Sequence, residues 1–169
     1  MRELFVYLRG LTLFVAGIVV GTALIAPGFA QQRGDSGPRL NHVGIAVKDF
    51  QESLNFYTKV MGFRVAYALP SPDGKPTTTF LQINRDTFVE MAPASANLPA
   101  GLTHIGILSD DANATVTQLR QAGATMPDVR SGGGTGSRLS NVMDPNGIRL
   151  EVVEQPTGSL MRKAMESWK

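Results

Sequence analysis

The chain has 169 residues, of which 43% are hydrophobic and 18% charged, enough for one globular domain with its own core and unlike a disordered or fibrous protein. A net charge of +2 with scattered basic residues excludes a nucleic-acid-binding role of the polybasic kind and points to a small-molecule partner. With no cysteine, no disulfide can support the fold and no thiol can bind a metal or a lipid.

Residues 1–30 differ from the rest. Arg2 and Arg9 flank a short leading region, the run from Leu11 to Ala26 is uncharged, and Gly28 and Ala30 are small residues placed as a signal peptidase prefers. This pattern predicts a signal peptide cleaved after Ala30, the alternative being an uncleaved amino-terminal anchor, then a polar linker over residues 31–38 and a mature protein that is periplasmic or secreted and meets the membrane only through that segment.

The folded part, residues 39–155, reads as one sequence written twice. Leu40-Asn41-His42-Val43-Gly44-Ile45 returns as Leu102-Thr103-His104-Ile105-Gly106-Ile107, and these segments hold both histidines of the chain. Each is followed at the same offset by an aspartate, Asp49 and Asp111, and later by a glycine that can end a helix, Gly62 and Gly123; Asp49 can cap the first helix and Asp110 or Asp111 the second. Strands are expected at 41–47, then at 63–69, 77–83 and 87–91, and the second half repeats the order. The fold class is therefore α+β, two βαβββ modules over residues 40–94 and 102–154.

Strand parity selects the residues that share a face. Val43, Ile45 and Val47 point one way; His42, Gly44 and Ala46 point the other, leaving a face that is small except for the imidazole. Glu90 follows His42 by 48 residues and Glu151 follows His104 by 47, each on the last strand of its module. Two imidazoles and two carboxylates in register suit a divalent ion such as Zn, Ni, Co, Mn or Fe, with open positions for substrate. On the same parity Phe88, Asn141 and Arg149 are candidate substrate contacts. The glycine-rich loop 127–136 is expected to be a cover for the ligand or a plain connector. Asp144-Pro145-Asn146-Gly147 is a tight turn launching the strand 148–154, and residues 156–169 form an amphipathic helix that docks on the domain or on a second subunit.

With His42, Glu90, His104 and Glu151 in this repeat, together with Phe56-Tyr57, Gly62-Phe63 and Leu150-Glu151, the chain resembles the vicinal oxygen chelate superfamily of glyoxalases, bleomycin-resistance proteins and extradiol dioxygenases. The resemblance implies a cup or partial barrel enclosing the metal, a homodimer, and a substrate whose neighbouring oxygens chelate the ion. The four-ligand set is closest to glyoxalase I, which implies a lyase or isomerase that abstracts a proton and stabilises an enediolate, Glu151 acting as leading base and Glu90 as its counterpart. Ala46 and Ala94 stand where glyoxalase I has an arginine and an asparagine that serve glutathione, so the implied substrate is not a glutathione adduct. The alternatives are a periplasmic binding or sequestration protein of the bleomycin-resistance type and an Fe(II) dioxygenase.

Overall fold

The computed structural model describes residues 38–169; the expected signal peptide and all of the linker but Pro38 lie outside the described residues. The elements run β1 (Arg39–Val47), α1 (Phe50–Asn55), β2 (Arg64–Ala68), β3 (Thr79–Asn84), β4 (Thr87–Pro93), β5 (Gly101–Leu108), α2 (Ala112–Gln121), β6 (Arg130–Ser131), β7 (Arg138–Met143), β8 (Arg149–Glu154) and α3 (Leu160–Glu166). All eight strands form one mixed sheet in the order β2-β3-β4-β1-β5-β8-β7-β6. Within each βαβββ unit the first strand pairs parallel with the last, β1 with β4 and β5 with β8. The units join where β1 runs antiparallel to β5.

Local chemistry explains the helices. Asp49 stands in extended conformation and its carboxylate accepts from the Glu52 amide; Asp111 does the same for Ala114, so one donor that each helix start leaves unpaired is satisfied. The first helix departs from its expected regular course. After Asn55 it widens into a π turn over Phe56–Val60, and Met61 donates to the Phe56 carbonyl before Gly62 turns away at φ 74°. The widened turn lets Tyr57 stack against Phe63, with ring centroids 5.8 Å apart.

One face of the sheet is closed by the two longer helical segments. Ile45, Val47, Leu81, Val89 and Met91 pack under the first segment's Phe50, Leu54 and Tyr57, and Val152 packs with Val116 and Leu119 of α2. Each aliphatic or aromatic side chain buried this way contributes about 1.5–3 kcal/mol of transfer free energy. The opposite face is covered unequally. Helix α3 seats Met161, Ala164 and Met165 on Phe80, Phe88 and Leu108, so it docks on its own domain and fills the first unit's half. The rest of this face borders a cavity lined from both units.

Candidate metal centre

The central strand pair builds the site. His42 on β1 stands opposite Gly106 on β5, and Gly44 stands opposite His104. A Cβ on Gly44 would lie 2.1 Å from the His104 ring, and one on Gly106 would lie 2.1 Å from the His42 ring, distances that real side chains do not tolerate. Each glycine is therefore the recess for the other strand's imidazole. The rings meet edge to face with centroids 4.9 Å apart, and their Nε2 atoms are 2.9 Å from each other.

The residue before each histidine reaches its other ring nitrogen. Asn41 Oδ1 lies 3.0 Å from His42 Nδ1, and Thr103 Oγ1 lies 2.9 Å from His104 Nδ1. Partners of this kind set the tautomer and orientation of metal-ligating imidazoles. The parallel neighbours add the carboxylates, Glu90 beside Gly44 and Glu151 beside Gly106. Glu90 Oε2 is 3.6 Å from His42 Nε2 and 3.5 Å from His104 Nε2, while Glu151 Oε1 is 3.6 Å from His42 Nε2. Donor atoms of His42, His104 and Glu151 all lie within 4.8 Å of one another. The four predicted ligands thus converge from one chain, and the paired recesses, the Nδ1 partners and the N/O donor set fit a divalent ion of intermediate softness.

Burial separates the titrating groups. It lowers the His42 pKa to about 4, helped by the positive fields of His104 and Arg149 against the opposing carboxylate of Glu90, so the imidazole is neutral and free to coordinate at neutral pH. Burial would raise Glu90, but its contact with His104 and the charges of His42, His104 and Arg149 outweigh it and hold this carboxyl below the usual range. Glu151 moves the other way. Its side chain is 11% exposed against 26% for Glu90, and burial, seconded by the Glu90 charge, pushes its pKa up despite the opposing pull of His104 and Arg149.

A cavity of about 230 Å³ opens onto the four ligands. Arg149 lines it, with Nη2 2.8 Å from His104 Nδ1. Phe88 is not a substrate contact in this structure: it is on the expected face, directly beside His42, but α3 covers it and leaves it 0% exposed. Asn141 stands opposite Glu151 in the register with its Oδ1 buried and without a hydrogen-bond partner among the described residues, and it is not part of the cavity wall. The glycine-rich loop is part of that wall. It contains strand β6, supplies Gly132 and Gly133 to the cavity, and is tied to the start of α3 by the bond from the Leu160 amide to the Thr135 carbonyl.

Two wall residues escaped the sequence reading. Tyr67 stacks on Phe80 at 4.4 Å between centroids, and its buried hydroxyl has no hydrogen-bond partner among the described residues; burial and the Glu90 charge raise its pKa. Arg130 enters from β6. An irregular register between Val65 and Tyr67 packs Ala66 and Tyr67 on the same cluster, so parity along β2 does not point to Tyr67; the pairing of Tyr67 with Phe80 and of Phe80 with Glu90 does.

Lactoylglutathione lyase of Escherichia coli O157:H7 is 28% identical over 127 residues, covering 69% of this chain and 93% of that protein. The mitochondrial methylmalonyl-CoA epimerase of Homo sapiens is 30% identical over 93 residues, covering 49% of this chain and 53% of that one. Among solved structures, a Streptomyces coelicolor methylmalonyl-CoA epimerase in complex with 2-nitronate-propionyl-CoA superposes with a TM-score of 0.60 at 22% identity, over 72% of this chain and 96% of that chain, a likeness of fold. The sequence profile of the Glyoxalase/Bleomycin resistance protein/Dioxygenase superfamily matches residues 39–152, and the chain belongs to that superfamily.

Proposed function

We propose that this protein is an exported, metal-dependent lyase or isomerase that moves a proton on a small substrate with two neighbouring oxygens. The observation that carries the reading is the facing pair of imidazole Nε2 atoms, 2.9 Å apart, with a carboxylate from each unit beside them. His42, His104, Glu90 and Glu151 would hold the ion. When bound, such an ion supplies Lewis-acid stabilisation to a substrate oxygen that gains negative charge.

The unequal carboxylates divide the remaining work. Glu90, held below the ordinary range, stays ionised and supplies fixed negative charge beside both histidines. Glu151, raised by burial, is the better proton acceptor and takes the proton next to the substrate carbonyl, returning it to the neighbouring carbon or oxygen. Leu139, Val153 and Met161 line the cavity and limit water around that transfer. The lactoylglutathione lyase and the epimerase among its relatives support this reaction class, while Ala46 and Ala94 support a substrate without glutathione.

Elemental analysis of the purified chain beside a His42→Ala, His104→Ala variant, with deuterium exchange into small hydroxy-carbonyl compounds followed by NMR, tests the reading. Near-stoichiometric metal in the parent and none in the variant is expected, with exchange only in the parent. A parent that stays empty when offered Zn, Ni, Co, Mn and Fe would reject the reading in favour of a binding protein.

A further inference from the structure

Arg149 is engaged in a way that coordination would not tolerate. Asn41 Nδ2 donates to the Asp86 carbonyl, which turns Asn41 Oδ1 toward His42 and makes His42 Nδ1 the protonated nitrogen. A guanidinium can only donate, so His104 Nδ1, 2.8 Å from Arg149 Nη2, is an acceptor, and the ring proton of His104 sits on Nε2, facing the lone pair of His42 Nε2. An imidazole that gives Nε2 to an ion carries its proton on Nδ1 instead. Thr103 Oγ1, 2.9 Å away, can accept that proton, but Arg149 cannot remain beside it.

The space left to Arg149 is the cavity it already lines, and Arg130 lines the same wall. Arg130 has no ion pair among the described residues, and its bond to the Ser131 carbonyl is a long one at 3.4 Å. Both carboxylates of the wall face the histidines; Arg149 acts on both and Arg130 on Glu151 through space, but neither cation makes a direct ion pair with them among the described residues. At about 230 Å³ the space is below the roughly 300–1,000 Å³ of sites that enclose drug-sized ligands.

Building on the metal-dependent reading above, we propose that Arg149 and Arg130 form an anion-binding end of the cavity, freed by coordination of His104, and that the substrate is a small free carboxylate with an oxygen on a neighbouring carbon. Guanidinium groups pair carboxylates with charge-assisted, often bidentate hydrogen bonds, which gives this end its selectivity.

Calorimetric titration of the full chain, zinc-loaded and chelated, with malate, lactate and the neutral analogue lactamide tests this, beside Arg149→Gln and Arg130→Gln and with zinc content measured on each sample. The zinc-loaded parent is expected to bind malate and lactate on the order of tenfold or more tightly than lactamide, and each variant to keep its zinc while losing about ten- to a hundredfold for malate. Chelation is expected to weaken malate by about tenfold or more, and nitrogen-15 NMR to find His104 Nδ1 bare in the chelated protein and protonated in the loaded one. Equal binding of lactate and lactamide, unchanged malate binding in Arg149→Gln, or loss of zinc from that variant would overturn the inference and leave the metal-dependent reading standing. A parent that takes none of Zn, Ni, Co, Mn and Fe overturns the metal-dependent reading and the release of Arg149 with it; malate binding then lost in both variants would retain the carboxylate end, and no malate binding would overturn that too.

Discussion

The two βαβββ units share a backbone plan and differ in what they do with it. Read across the sheet, one row runs Tyr67, Phe80, Glu90, Gly44, His104, and the other runs Asn141, Glu151, Gly106, His42, Phe88. Ligand and recess occupy equivalent places in both. The flanking places have diverged: Phe80 beside Glu90 answers to Asn141 beside Glu151, and Phe88 beside His42 answers to Arg149 beside His104. At the second of these places the contrast is sharpest: α3 seals Phe88 of the first unit, whereas Arg149 of the second borders the open cavity, which Phe80 also lines. A shared metal centre constrains the ligands and their recesses in both halves, and leaves the neighbouring positions free to become core in one and binding surface in the other.

That contrast can be broken most severely at the ligands. The His42→Ala, His104→Ala variant should lose its metal entirely while circular dichroism still reports a folded sheet, since the apolar clusters on both faces do not include the imidazoles. Next is the test of divergence itself. Phe88→Ala should cost about 3–5 kcal/mol in denaturant unfolding, the range for emptying a sealed aromatic site, whereas Arg149→Ala should stay within about 1 kcal/mol because its side chain borders open space. Equal costs at the two positions would contradict the division into a sealed half and an open half.

The recesses test the equivalence. Gly44→Ala and Gly106→Ala should each destabilise by about 1–3 kcal/mol and lower metal content, because the new Cβ displaces the opposite imidazole. A variant that keeps full metal would remove the recess argument for its side of the site. Asn41→Ala and Thr103→Ala should act more mildly, weakening metal affinity by roughly ten- to a hundredfold in chelator competition.

Acid sharpens the picture through the metal-free protein. The folded-state pKa of His42, about 4, is below its ordinary 6.5, so between those values the unfolded chain binds the extra proton and stability falls as pH drops from 6.5 toward 4. Glu90, held low, adds to the loss as pH falls through its folded pKa. Glu151 opposes it, because its raised pKa makes the folded protein the better proton binder. Urea unfolding across this window should show a net decline that is shallower in His42→Gln.

Much of this was readable from spacing. The repeat placed His42 with Glu90 and His104 with Glu151 in register, the caps at Asp49 and Asp111 fell where expected, and alternation along β8 sent Arg149, Glu151 and Val153 to the cavity. Alternation also put Phe88 on the correct face, yet could not show that α3 would cover it, since parity is a property of one strand and cover depends on a helix 72 residues on, from Phe88 to Leu160. The roles of Gly44, Gly106, Asn41 and Thr103 were hidden for a related reason: a glycine is a recess only relative to the strand beside it.

The sequence by itself determined the family, the duplicated βαβββ plan and the four candidate ligands, because periodicity and repetition are local patterns that sterics convert directly into strands, helices and faces. Tertiary structure alone decided that β1 lies against β5, that one chain completes the donor set, that α3 seals one half, and that Tyr67, Arg130 and Arg149 share a wall with the ligands. Those outcomes rest on contacts between segments far apart in sequence, which packing selects and no single stretch of chain encodes.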